Sequence, residues 1–156
     1  METTESFVHH LGLFASDFEA SERFYTAALD VLGISVGYRA DDVAEYWRPS
    51  EDTPSLSLER AQGEAAVTRG VHIAFTAASR GAVDAFHAAA VAAGGASRHA
   101  PRSWNAYRAY CAFVSDPDGN NIEAVHKETS RVEKPVGMVA ASDRCADTFR
   151  TGTMHW

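Results

Sequence analysis

The chain has 156 residues, 46% of them hydrophobic and 22% charged, which describes one globular domain or two small modules sharing a core rather than a disordered chain. A formal net charge of −7 without any cluster of Lys and Arg argues against binding driven by phosphate neutralisation, so neither nucleic acid nor a membrane surface is an expected partner. The longest apolar stretch, around Ala88–Ala93, falls far short of the ~20 residues of a membrane span; the polar start Met1–Glu5 is no secretory leader, and Cys111 and Cys145 make no disulfide framework, so a reduced cytoplasm is the expected location.

In chain order the first element is a strand-length run, Phe7–Ala15, rich in apolar and aromatic residues. Ser16-Asp17-Phe18-Glu19 follows as a capping-box signature, in which the Ser16 hydroxyl accepts from the Glu19 amide and the Glu19 carboxylate reaches back. Phe18, Tyr25, Ala28, Leu29 and Leu32 recur at helical spacing, and Gly33 closes a helix over Asp17–Leu32. Three shorter strand runs follow: Ile34–Arg39, Val43–Arg48 and Ser55–Leu58.

The pattern then starts again. His10-Leu11-Gly12-Leu13-Phe14 aligns with His72-Ile73-Ala74-Phe75-Thr76 at an offset of 62 residues, and without a gap Phe24 falls on Phe86, Leu29 on Val91 and Gly33 on Gly95. The second copy predicts a strand over Val71–Ala77, a Ser79-capped helix over Arg80–Ala93, a poorly patterned strand near Ala96–Ala100, then strands Tyr107–Val114 and Asn121–His126. Asp116-Pro117-Asp118-Gly119-Asn120 joins the last two as a hairpin, with proline presetting φ and glycine supplying the left-handed position. The expected fold is therefore α+β: module one over 6–62 and module two over 68–127, paired βαβββ units forming one curved eight-stranded sheet around a cleft. Residues 128–156 read as a C-terminal extension, with apolar Val136–Ala141 at its centre and no assignable chemistry.

Strand alternation sorts the chemistry-bearing side chains by face. With Leu11 and Leu13 under the helix, His10 points into the cleft; with Ile73 and Phe75 under theirs, so does His72. His9 then lies on the other face and is set aside. A lone strand histidine is usually an ordinary hydrogen-bonded residue, but two at equivalent cleft positions suggest a divalent-cation site, which needs a third ligand, commonly a carboxylate. Glu123 qualifies, because a carboxylate among Ile122, Ala124 and Val125 is unfavourable unless paired or metal-bound. His10, His72 and Glu123 form a set with open coordination positions that suits Fe(II) or Mn(II), and also Zn or Ni. Tyr110 is a candidate donor to a bound oxyanion. Trp47, Tyr46, Arg102 and Trp104 are candidates to line a pocket for a small molecule. His87 reads as solvent-facing on its helix, and Cys111 as packed, with nothing nearby to lower its pKa.

His10-Leu-Gly-Leu with Ser16-Asp17 and Phe24-Tyr25, then Gly-Val-His72-Ile-Ala-Phe, then Phe113-Val-Ser-Asp-Pro-Asp-Gly-Asn-Asn-Ile-Glu123, together resemble the vicinal oxygen chelate superfamily. That group includes glyoxalases, bleomycin-resistance proteins, fosfomycin-resistance thiol transferases, methylmalonyl-CoA epimerases and extradiol dioxygenases. Over residues 6–127 the resemblance implies paired βαβββ modules and a homodimer, with one subunit's strand completing the other's site in some members. It implies a metal-dependent lyase, isomerase, transferase or dioxygenase acting on an oxygen-chelating molecule; the alternative is a metal-free, drug-sequestering protein of the bleomycin-resistance sort. The chain departs from the family at Ser57, where many members carry a fourth ligand; Glu59, two residues on, is the nearest substitute. A His-Pro-x-Tyr-Tyr pattern common in the family is reduced here, between His99 and Tyr110, to the final tyrosine.

Overall fold

Both helices begin where a short polar side chain satisfies an amide that the first turn leaves without a partner. In helix α1 (Phe18–Asp30) that residue is Asp17, whose carboxylate accepts from the Ala20 amide at 2.9 Å. The predicted Ser16–Glu19 box does not form: the Ser16 amide and hydroxyl both donate to Asp118, at 3.0 and 2.5 Å, across to the second half of the chain. In helix α2 (Arg80–Ala92) Ser79 caps as predicted, accepting from the Ala82 amide at 3.1 Å.

The computed structural model describes residues 8–51 and 56–128, so Phe7, Ser55, Val136–Ala141 and Cys145 lie outside the described residues. Around the helices run β1 (Leu11–Ala15), β2 (Ser35–Ala40), β3 (Val43–Trp47) and β4 (Leu56–Arg60), then β5 (His72–Thr76), β6 (Ala96–Trp104), β7 (Ala109–Ser115) and β8 (Asn121–Lys127). Short 3-10 turns occupy Glu64–Ala66 and Asn105–Tyr107. Each half is the expected strand–helix–three-strand unit.

The strands do not form the single eight-stranded sheet that the repeat suggested. They make two four-stranded sheets, ordered β1-β4-β3-β2 and β5-β8-β7-β6. Each sheet is mixed, its first strand parallel to its last and the remaining pairs antiparallel. The reason lies in the helix layer. Phe18, Phe24, Tyr25 and Leu29 of α1 share one buried core with Val83, Phe86 and Ala90 of α2, and the inward residues of both sheets, Leu13, Leu58, Ile73 and Ile122 among them, join it. The modules are thus joined through their helices, with β1 and β5 left as sheet edges.

Close packing marks the junction. A Cβ on Gly95 would lie 2.6 Å from both the Phe24 ring and Val114 and 2.9 Å from the Ala90 carbonyl, so only glycine fits between helix and sheet. The Asp116–Asn120 turn closes the β7–β8 hairpin as predicted, with Gly119 at φ 86°. It also holds the first module: the Tyr25 hydroxyl donates to buried Asp116 at 2.7 Å. Burial, more than the neighbouring Asp116, raises the Tyr25 pKa and keeps that hydroxyl protonated. Among the described residues no helix is long and apolar enough to cross a membrane.

Candidate functional site

The register of the second sheet arranges its outer face, the one turned away from the helices, in rows. Ala74, Glu123, Phe113 and His99 stand side by side on β5, β8, β7 and β6. The next row holds Val125, Cys111 and Arg102, and the one beyond it Lys127, Ala109 and Trp104. Small side chains at Ala74, Ala109, Cys111 and Val125 leave a depression that Trp104, Tyr107 and Phe113 wall, a cavity of about 160 Å³ with Glu123 and Lys127 among its lining. Ala109, Cys111 and Phe113 form a second, smaller apolar cluster here, against which Trp104 and Val125 pack.

Aromatic rings set the shape of the wall. Trp104 and Phe113 meet edge to face at 5.4 Å, and His99 meets Phe113 at 5.5 Å and Trp104 at 5.4 Å. The His72 ring lies 6.0 Å from Phe113, on the side of Glu123.

Glu123 is the chemically unusual member. It is only 7% exposed, and its Oε2 lies 2.9 Å from His72 Nε2. A buried carboxylate needs compensation, and an imidazole nitrogen aimed at it supplies part of it. The Cys111 thiol shares this face; burial first, and then the Glu123 carboxylate, push its pKa up to about 12. That thiol stays protonated, a donor to the carboxylate and not a nucleophile. One imidazole and one carboxylate this close are donor types that could together hold a divalent cation, in place of the hydrogen bond they share.

The remaining predicted residues stand elsewhere. His10 is exposed just ahead of β1, its Nδ1 2.8 Å from Nδ1 of His9, the neighbour that strand alternation had set aside. Among the described residues no three His, Cys, Asp or Glu side chains come together as a cation site, so within one copy His10 does not join His72 and Glu123. Tyr110 points toward the helix layer, because it alternates with the cavity residues Ala109 and Cys111. Its hydroxyl donates to Asp84 of α2 at 2.9 Å and its ring lies beneath the Arg80 guanidinium at 4.9 Å. Trp47 packs over the backbone of Gly37 in the first sheet, so closely that a Cβ there would sit 2.0 Å from the indole. Tyr46 is in the core, with its hydroxyl 3.1 Å from Thr26. Of the predicted pocket residues, Trp104 lines the cavity, and Arg102 stacks on its ring at 4.0 Å.

The two registers also show which residues correspond. Gly12 pairs with Ser57 as Ala74 pairs with Glu123, so Ser57 occupies the first module's version of the carboxylate position. Its hydroxyl donates to Glu59 at 3.3 Å. Tyr107, Val125 and Lys127 were not picked out from sequence. For the last two the signal was present: they follow Glu123 at steps of two along one strand and must share its face.

Comparison with known proteins agrees with this architecture. The family model described as Glyoxalase/Bleomycin resistance protein/Dioxygenase superfamily matches residues 7–124. A glyoxalase/bleomycin resistance protein from Albidiferax ferrireducens T118 is 32% identical, with a TM-score of 0.68 over 78% of this chain and 99% of that one. Two more distant structures share the fold. A glyoxalase-related enzyme from Fulvimarina pelagi is 21% identical, with a TM-score of 0.61 over 79% of this chain and 89% of its own. A lactoylglutathione lyase from Agrobacterium tumefaciens is 22% identical, with a TM-score of 0.55 over 78% and 94%. A search of curated proteins found no match. With the profile spanning both modules and the two halves folded as βαβββ units, the chain belongs to the glyoxalase/bleomycin resistance protein/dioxygenase superfamily.

Proposed function

We propose that this chain is a divalent-metal-dependent enzyme acting on a small molecule through a pair of neighbouring oxygen atoms, and that it works as a homodimer. The observation that carries the reading is the His72–Glu123 pair, 2.9 Å apart, at the edge of a largely apolar cavity. His72 Nε2 and Glu123 Oε2 would hold the cation, with His10 supplied by the second copy. Support for that partner comes from β1 and β5, which are edge strands among the described residues, and from His10, which is exposed and does not cluster with the pair in its own chain. When bound, a divalent ion such as Fe(II), Mn(II), Zn or Ni supplies Lewis-acid polarisation of the substrate oxygens.

The chain's own residues do the rest. Phe113 and Trp104 present aromatic faces and edges that fix a flat ligand and keep water from its reacting end. The Cys111 thiol, held protonated, donates toward Glu123 and steadies the carboxylate. Tyr110 has no part in this scheme, since Asp84 engages its hydroxyl in the helix layer.

A second reading, a metal-free protein that sequesters a small molecule, is favoured by the apolar cavity alone. Subunit mixing separates the two. His10→Ala and His72→Ala homodimers should each retain no metal. After co-refolding, half the dimers are mixed, with one site carrying both lesions and the other none, so bound metal should return to about a quarter of the wild-type level. No recovery would remove the shared site. Wild-type protein that refuses every divalent ion yet binds ligand would leave the sequestering reading in place.

A further inference from the structure

We propose that Lys127 determines specificity in this cavity: it reads an anionic group at the far end of a flat, apolar ligand whose oxygen donors lie at the His72–Glu123 end. The oxygen-bearing head of that ligand rests on the metal-site reading above; the anionic tail does not.

Strand geometry sets the length. Glu123, Val125 and Lys127 occupy alternate positions of β8 on one face, which places the first and last about 13 Å apart along the strand. Between them the floor is Val125, Cys111 and Ala109, with no charge, and Trp104 and Tyr107 stand beside it. Such a trough accepts a ring followed by two or three carbons, and it offers a charged partner only at its ends.

The electrostatics of the surface set the sign. The chain is acidic, and Arg39, Arg60, Arg69 and Arg80 are engaged by Glu22, Glu19 with Asp42, Glu64 and Glu128, whereas Lys127 is the one cation among the residues that line the cavity. Among the described residues Lys127 pairs with no carboxylate. Its ammonium donates to the Tyr107 carbonyl at the end of the Asn105–Tyr107 turn, which fixes the head group beside the cavity and leaves two of its three N–H groups for another acceptor. The Arg102 guanidinium, stacked on the cavity residue Trp104, adds a second positive charge to the same wall. A carboxylate or sulfonate meets both; a neutral tail forgoes both.

The test uses the full chain loaded with Mn(II), without oxygen, and two probes that differ only in the tail: 3-(3,4-dihydroxyphenyl)propionate and its methylamide. Titration calorimetry should show the acid bound about tenfold more tightly than the amide at low ionic strength. Lys127→Met should bring the two probes within about twofold by weakening the acid alone, and Lys127→Arg should keep the preference. Equal affinity for the two probes in the wild type overturns the proposal. So does a preference that survives Lys127→Met, or a failure of both probes to bind. Stripping the metal with a chelator keeps the two readings apart. If both probes bind metal-free protein with the preference intact, the metal site falls and the role of Lys127 stands. If binding needs metal but ignores the tail, the reverse holds.

Discussion

The two modules share a backbone and differ in what they place on the face away from the helices. In the second, the row across the sheet reads Ala74, Glu123, Phe113, His99; in the first, the equivalent row reads Gly12, Ser57, Glu45, Tyr38. Where the second module has a buried carboxylate backed by an aromatic ring, the first has a hydroxyl and an open glycine with nothing within 4 Å of its Cβ position. Tyr38 and Phe14 remain 53% and 39% exposed, whereas Phe113 is 4% exposed. One half therefore forms a cavity from its own side chains. The other leaves Tyr38 and Phe14 partly exposed around Gly12, with His10 exposed just ahead of its edge strand.

The sharpest way to break this contrast is at Glu123. Glu123→Gln keeps the shape and removes the charge, and should lower the divalent metal retained after dialysis at least about a hundredfold, as measured by mass spectrometry. Unchanged metal content would mean that the carboxylate is not a ligand. The opposite experiment restores the symmetry. Ser57→Glu places a carboxylate at the first module's equivalent position, and in the proposed dimer it should tighten metal binding about tenfold by adding a fourth protein ligand. A competition titration against a coloured chelator would read it, and weaker binding would show that the first module's row does not reach the metal.

Packing gives a smaller effect with a clear ranking. Gly95→Ala drives a methyl into Phe24, Val114 and a backbone carbonyl, and should lower the unfolding free energy by about 2 kcal/mol in denaturant titrations. Gly37→Ala displaces only the Trp47 side chain at the margin of the first sheet and should cost about 1 kcal/mol. Equal losses would contradict the picture of a junction packed more tightly than the sheet margin. The smallest change is expected at Cys111. With its pKa pushed up to about 12, the thiol should stay unalkylated at pH 8 in native protein and react only after unfolding, as mapped by peptide mass spectrometry.

Much of this was legible in the residues. Periodicity located both helices and the repeat, because Phe18, Tyr25, Ala28 and Leu29 face one core and recur as such a face must. Alternation correctly turned His72 and Glu123 to one side of their sheet. What escaped has physical causes. Strand β6 runs over Ala96–Trp104, but its register shifts on either side of His99 break the period of two, so its cavity residues could not be sorted by parity. Ser16 looked like a helix cap because its partner, Asp118, is 102 residues away. That the sheets stay separate was not legible, because nothing local in β1 or β5 states which edge it will meet.

The Asp116–Asn120 turn has a consequence for how the chain acquires its structure during synthesis. Ser16, just ahead of the first helix, and Tyr25, midway along it, find their partners in Asp118 and Asp116, 102 and 91 residues later. The first module therefore emerges from the ribosome with its helix entry unpinned and one side of its core uncovered, and it stays so until the last hairpin is released. At ordinary elongation rates of roughly 5–20 residues per second, that wait lasts about 5–20 seconds, during which Phe18, Phe24 and Leu29 lack the second module's share of the core. Contacts of such long sequence separation also slow the closing step itself. In this duplicated fold, the earlier half is committed by the later one.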